Sequence, residues 1–332
     1  MTNIASTIPA ELESLLERLR EARTEISSIV VGQEQVVDQM LIGLMAGGHV
    51  LLEGPPGAGK TLLVKTLGDV TGLSFARVQF TPDLMPGDIT GSLVLTPDES
   101  GRNVLEFQRG PIFTQLLLAD EINRATPRTQ SALLEAMQEH TVSAAGKSMK
   151  LPSPFFVLAT QNPIEMEGTY ILPEAQIDRF MFRIDVPYPR IDTLTEILRM
   201  TTGEAMSRAR GLLHPEDILA LQRFVRSVPA AEHVRRAVAT LAASTQPDQA
   251  DAQTRRHIQF GLSPRGSQAM ILAAKANALM AGRFNVARED LEAVLLPIVR
   301  HRIHLTYQAG ADGVTVDDVA KSLFDRHIRS AL

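Results

Sequence analysis

Residues 54 to 61 read GPPGAGKT and follow HVLLE, a short apolar run ending at Glu53. This stretch constrains the fold more than any other. A polyphosphate can be held by several backbone N–H groups pointing inward, provided no side chain blocks the approach. Gly54, Gly57 and Gly59 supply φ freedom and space, and Lys60 can reach the outer phosphates. Thr61 offers a hydroxyl to Mg²⁺, while a helix starting there points its positive end at the ligand. The match to G-x-x-x-x-G-K-[ST] is complete and lies between a predicted strand and a predicted helix, the context the motif requires. Gly54, Pro55, Pro56, Gly57, Ala58, Gly59, Lys60, Thr61 and Leu62 are therefore the candidate nucleotide-binding residues, with ATP and Mg²⁺ as the expected ligands.

The rest of the chain follows the same architecture. Apolar runs at His49 to Leu52, Phe75 to Val78, Gln115 to Ala119, Phe155 to Ala159 and Met181 to Val186 read as five buried parallel strands. Helical spacing separates them, notably over Pro127 to Glu139, which has Thr126 as a cap and Pro127 at the first helical position. Alternating strands and helices predict an α/β fold, a sheet covered on both faces. Residues 91 to 107 and 141 to 151 break the alternation and read as inserted β-hairpins, with turns at Pro-Asp-Glu-Ser-Gly and Ala145-Gly146. Two helices precede the first strand, over residues 11 to 30 and from Val36 to Gly47-Gly48. Beyond Pro187 only helical patterns remain, from Thr193 to Arg302, so residues 1–188 read as the core domain and 189–332 as an all-helical lid. Tyr188 to Arg190 is the expected hinge, since a residue before proline disfavours helix.

LLLADE, Leu116 to Glu121, places two carboxylates at the carboxyl end of a buried strand, where open α/β sheets bind ligands. Asp120 is positioned to hold the Mg²⁺ shell, largely through water, and Glu121 to orient or deprotonate an attacking water. An Asp-Glu pair could instead cap the following helix. After the fourth strand stands ATQNP, where Asn162 can hold a water between Glu121 and a γ-phosphate, although an Asn-Pro step is also an ordinary turn. Arg179 in EAQIDRF and Arg265 in GLSPRG complete the candidates; by itself an arginine is an ordinary surface residue.

Composition narrows the function. The net charge of −5, from 33 basic and 38 acidic residues, together with no tryptophan and 5 % aromatics, argues against a nucleic-acid-binding surface. There are no cysteines, which excludes disulfides and thiolate metal sites. No basic-then-apolar leader and no apolar run long enough to span a membrane is read, so a cytoplasmic protein with no membrane insertion is expected. His301 and His304, spaced i, i+3, read as surface residues rather than a metal site. Met40, Met45, Met137 and Met280 read as core.

GPPGAGKT, LLLADEINRA, ATQNP, LPEAQIDRF and GLSPRG, in this order from about residue 30 to 310, resemble the MoxR family of AAA+ ATPases. The phrases INRATPRTQSALLEAMQE and MEGTYILPEAQIDRF carry the resemblance beyond the shared phosphate loop. It implies a P-loop NTPase core with a helical lid, assembled as a ring, by analogy a hexamer, with ATP at the subunit interfaces. Asn162 then looks like the sensor after the fourth strand, Arg179 like the finger reaching a neighbour's γ-phosphate, and Arg265 like the second sensor, acting on its own nucleotide or a neighbour's. The two hairpins resemble elements that face the central pore in related rings. Family members typically work with a von Willebrand factor A domain protein and act as chaperones or assembly factors on client proteins. A metal-chelatase motor subunit or a nucleic-acid motor shares the core and stands as the alternative.

Overall fold

The computed structural model describes residues 10–97, 102–144, 146–162, 169–203 and 209–331. The expected turn at 98–101, Ala145, and the 163–168 part of the ATQNP and MEGTYILPEAQIDRF stretches lie outside them. In chain order the core comprises α1 (Ala10–Ile29), α2 (Glu34–Ala46), β1 (Val50–Glu53), α3 (Lys60–Thr71), β2 (Phe75–Gln79), α4 (Pro86–Thr90), β3 (Gly91–Pro97), β4 (Asn103–Arg109), β5 (Leu116–Asp120), α5 (Pro127–Glu139), β6 (Thr141–Ala144), β7 (Lys147–Lys150), β8 (Phe156–Gln161), α6 (Glu174–Ile177) and β9 (Phe182–Asp185). After β9 the chain continues with α7 (Ile191–Thr202), α8 (Pro215–Ser227), α9 (Glu232–Ser244), α10 (Ala252–His257), β10 (Ile258–Phe260), α11 (Pro264–Met280), α12 (Arg288–Val299), β11 (His304–Leu305), α13 (Tyr307–Ala311) and α14 (Val316–Phe324), which make up the mostly helical part called the lid below.

The five predicted strands form one parallel sheet in the order β2-β5-β8-β1-β9. Every pairing in it is parallel, so each return from one strand to the next needs a crossover connection. The apolar run LLLAD makes β5 buried throughout, whereas FARVQ, with polar alternate residues, forms the partly exposed edge β2. Leu116 and Leu118 join the apolar layer under α1, α2 and α3, while Leu117 and Ala119 face the layer under α4 and α5. The period-2 alternation of a strand thus feeds two cores from one sequence run.

Helix ends follow local chemistry. Gly47 stops α2 in the left-handed region at φ 71°, its N–H bonding back to the carbonyls of Gly43 and Leu44. Pro127 opens α5 as expected; Thr126 takes the extended cap conformation, but its hydroxyl lies 3.3 Å from Thr129 Oγ1 and caps no backbone N–H. Ser263 does cap α11, accepting from the Gly266 N–H at 3.1 Å.

Both insertions are hairpins, β3–β4 and β6–β7, each antiparallel. The lid is helical except for one pairing that the helical spacing did not show, the two-stranded β10–β11 ladder. Tyr188 to Arg190 lie outside any helix or strand, but lid and sheet share one apolar core in addition to that link: α1 and α2 pack between the sheet and helices α8 and α11. Arg18 on α1 clamps Asp217 of α8 bidentately at 2.7 and 2.8 Å. The N-terminal helix therefore packs within its own chain. Met40, Met45 and Met137 are buried as expected, and Met280 is partly so. Among the described residues no helix is long and apolar enough to cross a membrane.

Candidate functional site

The phosphate loop runs from the end of β1 into α3, and its glycines are required for two different reasons. Gly57 and Gly59 sit at φ 77° and 82°, the left-handed region, and a Cβ on Gly57 would meet nothing within 4 Å. Gly54 instead permits close approach: a Cβ there would fall 2.5 Å from the carbonyl oxygen of Val186, at the end of β9. Gln33, just before α2, donates to the carbonyl of Ala58 at 2.8 Å and braces the loop from behind. Lys60 Nζ donates to the Gly54 carbonyl at 2.6 Å, which keeps the ammonium group folded over the loop.

The loop residues from Pro56 to Leu62 line a cavity of about 350 Å³ together with Asp120, Glu121, Thr160 and Asn162. The sheet order explains the convergence, because β8 lies between β5 and β1 and all three parallel strands release their carboxyl ends on one edge. The donor set suits a magnesium–polyphosphate pair. Lys60, the loop N–H groups and the start of α3 attract the anion, and the Asp120 carboxylate with the Thr61 hydroxyl offers hard oxygens to the cation.

The acidic pair is held by residues to which the sequence assigned no such role. Thr160 donates to Asp120 Oδ1 at 2.5 Å and accepts from the Glu121 N–H at 2.8 Å, so one hydroxyl fixes both acids. Arg77 holds the other Asp120 oxygen at 2.6 Å, and Gln79 and Arg124 reach Glu121 Oε2 at 2.7 and 2.9 Å. Glu121 itself sits at φ 55°, rare for a residue with a side chain. The turn directs the pair out of the strand instead of capping a helix: Asp120 remains in β5, and a single 3₁₀ turn, Ile122–Arg124, follows. Parallel pairing makes Thr160 predictable once strand order is known. Ala119 pairs with Ala159, which sets Thr160 beside Asp120.

Arg179 and Arg265 are brought together, but elsewhere. They line a second cleft, with Gly48, His49, Gln268 and Arg302, that shares no residue with the phosphate-loop cavity. Their segments are joined by a buried clamp. Arg302, its side chain 2 % exposed, donates through Nε to Asp178 Oδ1 at 2.7 Å. Its remaining nitrogens bond the carbonyls of Asp178, Phe180, Met181 and Ile298 at 2.6 to 3.1 Å. Asp178 in turn accepts from the Ser263 hydroxyl at 3.0 Å, and Arg265 stands 3.8 Å from its Oδ2. The turn carrying Arg179 and the first turn of α11 carrying Arg265 are therefore one unit.

His301 corrects an expectation. It is buried rather than on the surface, and Nε2 lies 3.1 Å from the Phe180 carbonyl. Burial, reinforced by the neighbouring Arg302 cation, pushes its pKa well below the usual value, so the ring is neutral and donates to that carbonyl. His304 is half-buried, 3.4 Å from Glu174. No group of three metal-ligating side chains occurs among the described residues.

Comparison with known proteins agrees with this geometry. Residues 49–182 match the model of the ATPase family associated with various cellular activities, and residues 250–323 match that of the AAA lid domain. Chaperone MoxR1 of Mycobacterium tuberculosis is 44% identical over 93% of this chain and 81% of its own length. Protein MoxR of Paracoccus denitrificans is 34% identical over 87% of this chain and 89% of its own. A crystal structure of a candidate ATPase from Cytophaga hutchinsonii superposes with a TM-score of 0.88 at 35% identity, covering 96% of each chain. With a phosphate loop, a paired acid, a helical lid and these relatives, the chain belongs to the MoxR family of AAA+ ATPases.

Proposed function

We propose that this chain hydrolyses ATP only as a head-to-tail ring, expected to be a hexamer, in which each copy binds nucleotide on its own phosphate loop and receives cations from the next. The observation that carries this is the separation of the two clefts: the phosphate-loop cavity holds Lys60, Asp120, Glu121 and Asn162, while Arg179 and Arg265 open onto another surface. A cation that faces away from its own phosphate site serves a neighbour's, and an arginine finger supplied in trans contributes about 10³ to 10⁵ in rate.

Within one copy, the loop N–H groups and Lys60 bind and orient the phosphates. Thr61 and, through water, Asp120 would hold a magnesium ion, which would supply positive charge to the phosphates. Glu121, steadied by Gln79 and Arg124, takes up the proton of the attacking water, and the buried Asn162 amide holds that water in line. The neighbour's Arg179 and Arg265 stabilise charge on the transferred phosphoryl group, a reading supported by their opening onto a cleft that shares no residue with their own phosphate-loop cavity.

The ring acts as a chaperone-like remodelling or assembly factor on client proteins, with a von Willebrand factor A domain protein as adaptor. The similarity to Chaperone MoxR1 supports the chaperone part of this reading, as does an exposed apolar face on the β3–β4 hairpin, where Leu93, Leu95 and Leu105 point to solvent. Expected results are simple. Arg179→Ala keeps the affinity for a fluorescent ATP analogue and loses at least about 10³ in turnover, whereas Lys60→Ala loses binding. An Arg179→Ala protein with full turnover would overturn the reading.

A further inference from the structure

β1 is apolar except for its last residue, Glu53, which stands directly before the phosphate loop. The side chain is only 13% exposed. A carboxylate so placed needs a partner, because burial disfavours its charged form, and here burial raises its pKa above the ordinary value.

The register of the sheet supplies that partner. β1 and β9 pair with Leu51 opposite Arg183 and Glu53 opposite Asp185, so the two-residue period of a strand sets all four side chains on one face. Arg183 reaches diagonally across the pair, its Nη2 2.7 Å from Glu53 Oε2. Asp185 is a competing carboxylate, 3.5 Å from Arg183 Nε. It is itself held at 2.8 Å by Arg300, which follows α12 and also clasps Asp317 of α14 at 2.7 and 2.9 Å. The lid thus occupies Asp185 and leaves Arg183 to Glu53.

A second cation acts on the same carboxylate. Lys60 draws the pKa of Glu53 downward, and its Nζ already bonds the carbonyl of Gly54, the next residue after Glu53. Lys60 is also the side chain that reaches for phosphate, so any carboxylate that engages it competes with the ligand. The two alternatives differ in strength. An ammonium group resting on a neutral carbonyl gives up an ordinary hydrogen bond when phosphate arrives, whereas one paired with a carboxylate gives up a charge-assisted bond about twice as strong.

We propose that Arg183 is a positioning residue for nucleotide binding: it holds the Glu53 carboxylate off Lys60, so that the ammonium group turns to phosphate from the Gly54 carbonyl and not from an ion pair. The inference rests on the nucleotide-binding reading of the phosphate loop and requires no second copy. It gives a role to the one charge on β1 and ties that role, through Asp185 and Arg300, to the lid.

Three variants separate this role from a plain tie between strands. Arg183→Gln leaves Glu53 to Lys60, and the affinity for a fluorescent ATP analogue should fall by about ten-fold. Glu53→Gln removes the competitor, so its affinity should equal or exceed that of the wild type, and the double variant should match Glu53→Gln. Binding is measured on dilute chains at a temperature where calorimetry shows each protein folded. A tie between β1 and β9 is broken alike by either single substitution, so equal losses in the two would overturn the assignment. A lower affinity in Glu53→Gln overturns it whether or not Arg183→Gln folds. A crystal structure of nucleotide-free Arg183→Gln should show Lys60 Nζ on the Glu53 carboxylate; Nζ still on the Gly54 carbonyl in a weakened variant would show that Arg183 acts only through its field, against the proposal. A wild-type chain that does not bind the analogue would overturn the nucleotide-binding reading itself, whereas a wild-type chain that binds it no better than Arg183→Gln overturns the positioning role alone.

Discussion

The substitution Asp178→Asn tests whether the clamp beneath the two arginines is what places them. It retains shape and can keep the hydrogen bond with the Ser263 hydroxyl, but it removes the one carboxylate bonded to Arg302. Removing one partner of a buried ion pair costs about 3–5 kcal/mol. Here the carboxylate side chain is 22% exposed and four carbonyls still bond Arg302, which lowers the expected loss to about 2–3 kcal/mol. Unfolding entropy of about 2.1 cal/mol/K per residue gives ~0.7 kcal/mol/K over this chain, so the apparent Tm should fall by about 3–4 °C. The measurement is calorimetry alongside steady-state ATPase at a temperature where the variant is fully folded. Turnover should drop at least about ten-fold while affinity for the nucleotide holds, because positioning residues act on kcat when their target is engaged in the transition state. A variant within about 0.5 kcal/mol of wild type would refute the burial argument. One that is destabilised but turns over normally would refute the positioning argument.

Two further outcomes follow from buried polar groups. Thr160→Val keeps the volume of a residue 1% exposed but strips Asp120 of its 2.5 Å donor and leaves the Glu121 N–H without its acceptor. About 1–3 kcal/mol of stability should be lost together with most turnover, and a Val variant with wild-type kcat would remove Thr160 from the account. His49 is buried between Met137 and Val157, its Nε2 donating to one carbonyl and Nδ1 accepting from one N–H at 3.1 Å each. Burial depresses its pKa from 6.5 to about 4, so below pH 6.5 the unfolded chain binds the extra proton and stability declines until about pH 4. The loss amounts to about 3 kcal/mol at most, and buried His301 adds in the same direction. Urea midpoints measured across that window should fall with pH and fall less for His49→Gln; equal slopes would show that another group controls the acid limb.

How much could be read beforehand depended on whether the chemistry was local. The phosphate loop, the acidic pair and Pro127 at the head of α5 are set by neighbouring residues, and the structure places them where their spacing predicts. β1, β5 and β8 were legible because short apolar runs are buried, whereas β2, expected to be buried, is so only at Val78 because it forms the sheet edge. The β10–β11 pair was not, since IQF and HL are too short for any alternation to show. Arg302 and Asp178 lie 124 positions apart, and nothing in either neighbourhood announces the clamp. Thr160 was visible in ATQNP but acquires its role only from its register with Asp120, 40 positions away. His301 misled for a related reason: spacing of i, i+3 at the end of a helix does not say which face meets the core, and here the Phe180 backbone does.

The central claim is that each catalytic site draws residues from two copies, and mixing two inactive proteins tests it most directly. Glu121→Gln cannot activate water on its own phosphate loop but still carries Arg179; Arg179→Ala carries an intact loop but lends no finger. Each alone should be nearly inert. In a 1:1 mixture allowed to assemble at random, about one interface in four pairs an intact Glu121 with a neighbour's intact Arg179, and turnover should rise toward that fraction of the wild-type rate. Mixed assemblies confirmed by mass that remain as inactive as their parents would contradict the account.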